Sequence, residues 1–221
     1  YSALCSIGCI SLLSAAKLLR IRGDAMQNAV KDVETSMVAV IGMELEEIEN
    51  ELNNSKVVKN EMCEIANDNC PGQVILSGTK SLVQSISQKL KSSGARSVID
   101  LNVSAPFHCS LMQNASMTMQ NALGEVEIKE PKIKFINNVN ANFVKNTSEI
   151  KKLLVDQVQS RVRWRESIKK ASTLDLDCII EIGPGKVLTG LNKRMNISSQ
   201  HFNISTVDDI NDFLQNYGEY L

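Results

Sequence analysis

Several things are missing or scarce in this sequence, and each shortage removes a class of function. None of the six cysteines (Cys5, Cys9, Cys63, Cys70, Cys109 and Cys178) forms a C-x-x-C pair, and no histidine stands at ligand spacing beside one. A zinc site and a disulfide framework are therefore not expected, and the thiols read as reduced cysteines of a cytoplasmic protein. Charge of one sign is absent too: 24 Lys and Arg face 25 Asp and Glu, for a formal charge of -1. No global field draws the chain to nucleic acid or an anionic membrane, and any polyanion must be met locally. No apolar run is long enough to span a bilayer. The apolar opening from Tyr1 to Ile10 has no basic segment before it and is closed by Lys17 and Arg20, which is not a signal-peptide pattern. A start at Tyr1, inside an apolar helix-like pattern, leads to the expectation that the true N-terminus is missing. Only 11 Gly and 4 Pro occur, and no repeat, low-complexity tract or Pro-rich linker is present. What remains is the composition of an ordinary globular protein, 43% hydrophobic and 22% charged, whose 221 residues leave one domain or two open.

What is there begins with helical periodicity. Ser11 is a candidate N-cap, and Leu12, Ala15, Ala16, Leu19, Met26 and Val30 recur at the spacing of an amphipathic helix. Arg22 falls at the edge of that apolar stripe, where a guanidinium has to find a partner or face a cavity. From residue 34 to 103 six short elements follow, in the order strand, helix, strand, strand, helix, strand. The strands are read at 36–41, 61–66, 73–76 and 96–101, the helices at 44–52 and 80–91. That is the split βαβ order of a ferredoxin-like unit. After Pro106 helix and strand alternate: helices over 110–123, 150–159 and 162–171, a strand at 133–136, and an apolar run over 178–182 of the kind a buried parallel strand shows. Gly183-Pro184-Gly185 and a helix from Lys186 come next. The expectation is an α/β core of residues 1–33 and 104–221 with a ferredoxin-like α+β subdomain, 34–103, inserted in it.

Only two histidines are available as a neutral-pH general base, His108 and His201. His201 lies in the polar stretch Ser198-Ser199-Gln200-His201-Phe202-Asn203 and reads as a surface residue. His108 lies where the last strand of the insert returns to the core, a junction that faces a cleft, although a structural or capping role fits that position equally. Gly183-Pro184-Gly185 lacks the flanking pattern of a phosphate loop and reads as a tight turn. The cluster Arg161, Arg163, Arg165, Lys169 and Lys170 is either a solvated helix face or a surface for an acidic partner.

Six segments, in order, carry a family resemblance: Tyr1-Ser2-Ala3-Leu4; Arg22-Gly23-x-x-Met26-Gln27; Asn69-x-Pro71-Gly72-Gln73-Val74; Phe107-His108 with Leu111-Met112; Asn137-Asn138-Val139; and Glu181-x-Gly183-Pro184-Gly185-Lys186-Val187-Leu188-Thr189-Gly190-Leu191. Together they resemble the malonyl-CoA:acyl carrier protein transacylases of bacterial type II fatty acid synthesis. The resemblance implies an α/β-hydrolase-like core with a ferredoxin-like insert, and ping-pong transfer of malonyl from coenzyme A through a serine to the phosphopantetheine thiol of acyl carrier protein. It implies no metal or bound cofactor and a monomer when complete. His108 matches the family's general base, and Arg22 the residue holding the malonyl carboxylate, a role suited to a planar guanidinium fork. Gln157 matches the position whose backbone carbonyl orients the histidine. Gln73 matches a residue lining the acyl pocket, although a turn followed by a strand also accounts for it. Phe107 precedes the histidine as in malonyl-selective members, where its bulk would crowd an α-methyl branch, a discrimination worth about 1 to 3 kcal/mol.

In the family, Gly-His-Ser-Leu-Gly-Glu directly precedes the segment matched by Tyr1-Ser2-Ala3, and its serine sits on a nucleophile elbow. That motif is absent from residues 1–221, and none of Ser2, Cys5 and Cys9 stands on such a turn. Rival readings are a non-catalytic remnant that binds carrier protein and an acyl hydrolase on the same fold. The expectation is that the 221-residue polypeptide is poorly soluble and does not turn over alone. An assay of labelled malonyl passing from coenzyme A to acyl carrier protein should show none, and turnover by the purified chain would contradict this.

Overall fold

In the computed structural model, residues 1–31, 33–55 and 59–218 are described. The chain divides into two compact units, Tyr1–Ser167 and Ile168–Leu221. The expected boundaries at 33/34 and 103/104 both fall inside the first.

The first unit begins with α1 (Ser2–Ser6) and α2 (Leu12–Asn28). The Ser11 side chain accepts from the Ser14 N–H at 3.1 Å, the N-cap expected from the sequence. Five strands and two helices follow: β1 (Thr35–Ile41), α3 (Leu45–Asn53), β2 (Cys63–Cys70), β3 (Gln73–Thr79), α4 (Lys80–Ser92), β4 (Ser97–Asp100) and, later in the chain, β5 (Val162–Arg163). The sheet order is β4-β1-β3-β2-β5, with the first four strands antiparallel and β5 parallel to β2. The ββ turn and the two flanking helices make this the expected ferredoxin-like unit.

Alternation along β1 sends Val38 and Val40 to one face and Met37 and Ala39 to the other. The first face is covered by α3 and α4 through Ile48, Val83, Ile86 and Leu90. The opposite face, Met37, Ala39, Ala66 and Ile75, meets Leu101 and Phe107. Phe107 also packs against a separate helical core built from Leu4, Leu18 and Met26 with Met112, Met119, Leu123, Ile150 and Leu154. That core unites α2 with α5 (Gln113–Gly124), preceded by a 3-10 turn at Ser110–Met112, and α6 (Thr147–Asp156). Phe107 thus ties this second sheet face to the helices, and its successor is His108.

Three readings of this region are corrected. Residues 133–136 form no strand; only an Ile136–Phe143 bridge occurs, because Asn137 curls the chain. Its Oδ1 accepts from Val139 and Asn140 N–H at 3.0 and 3.1 Å, and its Nδ2 donates to Asn142 O at 3.0 Å. The helix expected from 162 starts two residues later as α7 (Trp164–Ser172), since Val162 and Arg163 are taken by β2. The three arginines of the basic cluster are paired rather than solvated, whereas Lys169 is exposed. Arg161 pairs with Glu49 at 2.9 Å, Arg163 with Glu166 at 3.0 Å, and Arg165 with Asp68 at 3.0 Å and Glu44 at 3.6 Å. Asp68 is fully buried on β2.

The second unit pairs β6 (Cys178–Ile182) in parallel with β7 (Gln200–Ile204), beside α8 (Val187–Lys193) and α9 (Val207–Tyr217). Gly183 and Gly185 take φ of 134° and 89°, a region that favours glycine. Glu181 accepts from the Leu188 and Thr189 N–H groups at 3.1 and 2.7 Å, so a carboxylate already fills the start of α8 where a phosphate would sit. The structural-turn reading of Gly183-Pro184-Gly185 follows. Neither β7 nor α9 is evident from the polar sequence that forms them. His201 is half-buried on β7, with both ring nitrogens inside and unpartnered among the described residues, rather than a surface group.

Arg165→Ala should lower stability by about 3 kcal/mol, since it strands a buried carboxylate. Burial already pushes the Asp68 carboxyl up, against the pull of Arg165. Losing Arg165 raises it further, so the variant recovers stability on acidification as Asp68 takes up a proton. Urea melts at pH 8 and pH 5 check this, and an equal loss at both would contradict it.

Candidate active site

His108 takes a left-handed backbone conformation, φ 59°, uncommon for a residue with a side chain and frequent at functional positions. The turn is held by its neighbours. Pro106 cannot donate to a strand ladder, and its carbonyl accepts from the buried Cys109 thiol at 3.1 Å. Burial also pushes that thiol's pKa up, so Cys109, although adjacent to the histidine, is not an activated nucleophile.

The imidazole meets the end of α6. Asn146 caps the start of that helix, its Oδ1 accepting from Ser148 and Glu149 N–H at 2.9 and 3.2 Å, and Ile150, Leu153 and Leu154 bury one face. Gln157 is the C-cap, so its carbonyl belongs to the last turn, where carbonyls lack intrahelical partners and the helix dipole is negative. That carbonyl lies 3.0 Å from Nδ1 of His108. Since a carbonyl only accepts, Nδ1 carries the proton, and Nε2 keeps its lone pair. The Gln157 side chain is also engaged, donating to Asn138 Oδ1, and the Asn138 carbonyl accepts from the Arg163 N–H at 3.1 Å. The Asn137-Asn138-Val139 segment therefore supports the carbonyl from behind.

Arg22 is half-buried on α2. Its Nε is enclosed without a hydrogen-bond partner, and among the described residues no carboxylate pairs with it. Burial draws its pKa down, opposed by Tyr1, yet a guanidinium stays cationic at neutral pH. The Tyr1 phenol is enclosed and unpartnered as well, and burial pushes it up to about 12. Arg22 lies near enough to both Tyr1 and His108, in the first unit, for its charge to bear on each. A half-buried cation with no carboxylate partner among the described residues, near a base with a bare nitrogen, suits a ligand that brings its own negative charge.

Phe107 packs against Ile75, and Gln73 lies two residues before Ile75 on the same face of β3. Gln73 sits at the hairpin end, opposite Ile41 and Cys70. Of the residues read from the sequence, His108 and Gln157 are joined by a hydrogen bond, Arg22 reaches His108 through its charge, and Phe107 packs on the sheet face to which Gln73 belongs. Tyr1 and Asn138 appear in the sequence only as members of family segments, and Glu64, whose carboxylate binds Ser110, carries no signal there; a long-range polar contact leaves no periodic trace.

The acyl transferase domain family matches residues 1–207. The chain belongs to that family. It is 38% identical over 196 residues to the malonyl CoA-acyl carrier protein transacylase of Bacillus subtilis, covering 89% of this chain and 62% of that one. It thus spans less than two thirds of that relative's length. The crystal structure of an acyl-carrier-protein S-malonyltransferase from Bartonella henselae superposes with a TM-score of 0.92 at 42% identity, over 99% of this chain and 69% of that one. A malonyl-transacylase solved in complex with its type II PKS acyl carrier protein gives 0.92 at 32% identity, over 98% and 69%. These likenesses establish for this chain the α/β fold expected from its sequence.

Burial holds the His108 pKa below the ordinary 6.5, with the backbone of Gln157 and Ser160 opposing and Arg22 adding to the depression. The imidazole is then neutral at pH 7. Between its folded pKa and 6.5 the unfolded chain binds the proton and the folded one does not, so this contribution to stability is lost as pH falls through that window. NMR titration of the two imidazoles should give a His108 midpoint under 6.5; a midpoint at or above it would refute the buried, cation-facing environment.

Proposed function

We propose that this acyl transferase moves malonyl from malonyl-CoA to the phosphopantetheine thiol of acyl carrier protein in fatty acid biosynthesis. The observation that carries the reading is the enclosed, unpartnered Nε of Arg22 beside an imidazole whose Nδ1 is committed to the Gln157 carbonyl. A malonyl thioester supplies what that pair lacks: a carboxylate for the guanidinium, and a carbonyl at which a proton must be moved.

His108 is the general base. As a serine Oγ attacks the thioester carbonyl, its proton passes to Nε2. The C–S bond then breaks, and the coenzyme A sulfur leaves with that proton. In the second half the carrier thiol gives its proton to Nε2, its sulfur attacks the serine ester, and the serine oxygen recovers the proton. The family resemblance assigns the serine to a Gly-His-Ser-Leu-Gly segment that residues 1–221 do not contain. The Gln157 carbonyl, at a helix C-terminus, fixes the tautomer and favours the transient imidazolium, as a carboxylate does in hydrolytic triads. Arg22 grips the malonyl carboxylate, Phe107 crowds any α-methyl branch, and Gln73 lines the acyl side. Residues 34–103 form the inserted ferredoxin-like subdomain of this reading. The relatives' names support malonyl-CoA and acyl carrier protein as partners, and the six free cysteines support a reducing, cytoplasmic setting. Among the described residues no helix is long and apolar enough to cross a membrane.

The chain joined to the N-terminal part of the Bacillus subtilis relative that it does not cover should load acyl carrier protein with malonyl. His108→Ala should cost about 10²- to 10⁴-fold in rate. Arg22→Ala should cut the preference for malonyl over acetyl by about tenfold to a hundredfold, the worth of a charge-assisted hydrogen bond. Equal transfer of acetyl and malonyl by the joined protein would sink the reading.

A further inference from the structure

Helical structure from Ser110 to Gly124 starts two residues after His108 and has no cap of its own. Cys109 makes no side-chain cap bond, and the first turn of α5 holds no acidic residue. Such a start leaves backbone N–H groups without partners and a positive dipole end exposed. The missing acceptor comes from the sheet. Glu64 on β2 accepts from the Ser110 N–H at 3.1 Å through Oε2 and from the Ser110 hydroxyl through Oε1, while that hydroxyl also lies 3.2 Å from the Met62 sulfur.

We propose that Glu64 is a positioning residue for His108: its carboxylate pins Ser110 and so holds the left-handed turn that presents Nδ1 to the Gln157 carbonyl. The proposal rests on reading His108 as the base of the transfer, and it extends that reading to a residue no family segment contains. A left-handed histidine persists only where its surroundings over-determine it. Here Cys109 ties back to Pro106 on one side, and Ser110 is locked to β2 on the other. The acceptor half of the bond is fixed to the same strand, because β5 pairs with Asn67 and Asp68, and Arg165 binds Asp68. One strand thus sets the relative placement of a donor and an acceptor 49 residues apart. A flexible surface Glu–Ser contact would have no such consequence, and that difference is measurable.

The test follows the Nδ1 proton of His108 in the 221-residue chain by NMR, with His201 as internal control. Glu64→Ala and, independently, Ser110→Pro each remove the bond. Proline suits the first helical position and the extended backbone of Cys109 (φ -137°, ψ 170°) before it, so the helix start survives. Both variants should exchange the Nδ1 proton about tenfold faster and lose the pure Nδ1–H tautomer, as expected for one weakened hydrogen bond. Glu64→Gln, which keeps an acceptor oxygen, should stay within about twofold of the parent. Unchanged exchange in both folded variants overturns the proposal, as does Glu64→Gln behaving like Glu64→Ala. Neither result touches the transfer reading, which fails separately if His108→Ala leaves malonyl loading intact in the joined protein.

Discussion

The hydrogen bond from Nδ1 of His108 to the carbonyl of Gln157 is the constraint on which the pocket depends. It decides which nitrogen is bare, and that choice makes the imidazole a base rather than a donor at Nε2. The acceptor is a main-chain group at a helix end, so its strength comes from unpaired carbonyls and the helix dipole, not from a buried carboxylate. An acidic residue there would carry a full charge into an enclosed space already holding the Arg22 cation. The carbonyl orients the ring without neutralising the guanidinium, and Arg22 keeps its charge for a ligand.

The surrounding architecture makes that bond reproducible. Phe107 joins the second sheet face to the helical core, which fixes where the chain emerges before His108. Asn138 braces the Gln157 side chain, and the ion pairs of Arg161 with Glu49 and of Arg165 with Asp68 bind the segment after α6 to α3 and to the sheet. These buried or half-buried pairs do not show that the fold gains stability from them. Their effect is to set one register among alternatives. The first unit therefore behaves as a frame for a strained turn, with strain held at His108 by bonds on either side.

Much of this was legible in the sequence where the signal is periodic or local. The Ser11 cap, the helix over 12–28 and the order of the ferredoxin-like strands follow from spacing and turn residues. Arg22 stood out because a cation on an apolar stripe needs a reason. The pairing of His108 with Gln157 could come only from family resemblance, since residues 49 positions apart share no periodicity. The Arg165–Asp68 and Glu64–Ser110 contacts, 97 and 46 positions apart, depend on sheet register, which no local pattern encodes. β5 is two residues long and β7 carries Gln200, His201 and Asn203, so neither offers the alternation by which strands are recognised.

The central claim is that Arg22 and His108 face one ligand together. Titrating malonate and, separately, propionate into the 221-residue chain while following the Arg22 Nε–H and His108 ring resonances tests it most directly. The account predicts that malonate shifts both signals with one saturation curve and that propionate shifts them far less. Shifts confined to one residue, or equal responses to the two acids, would contradict it.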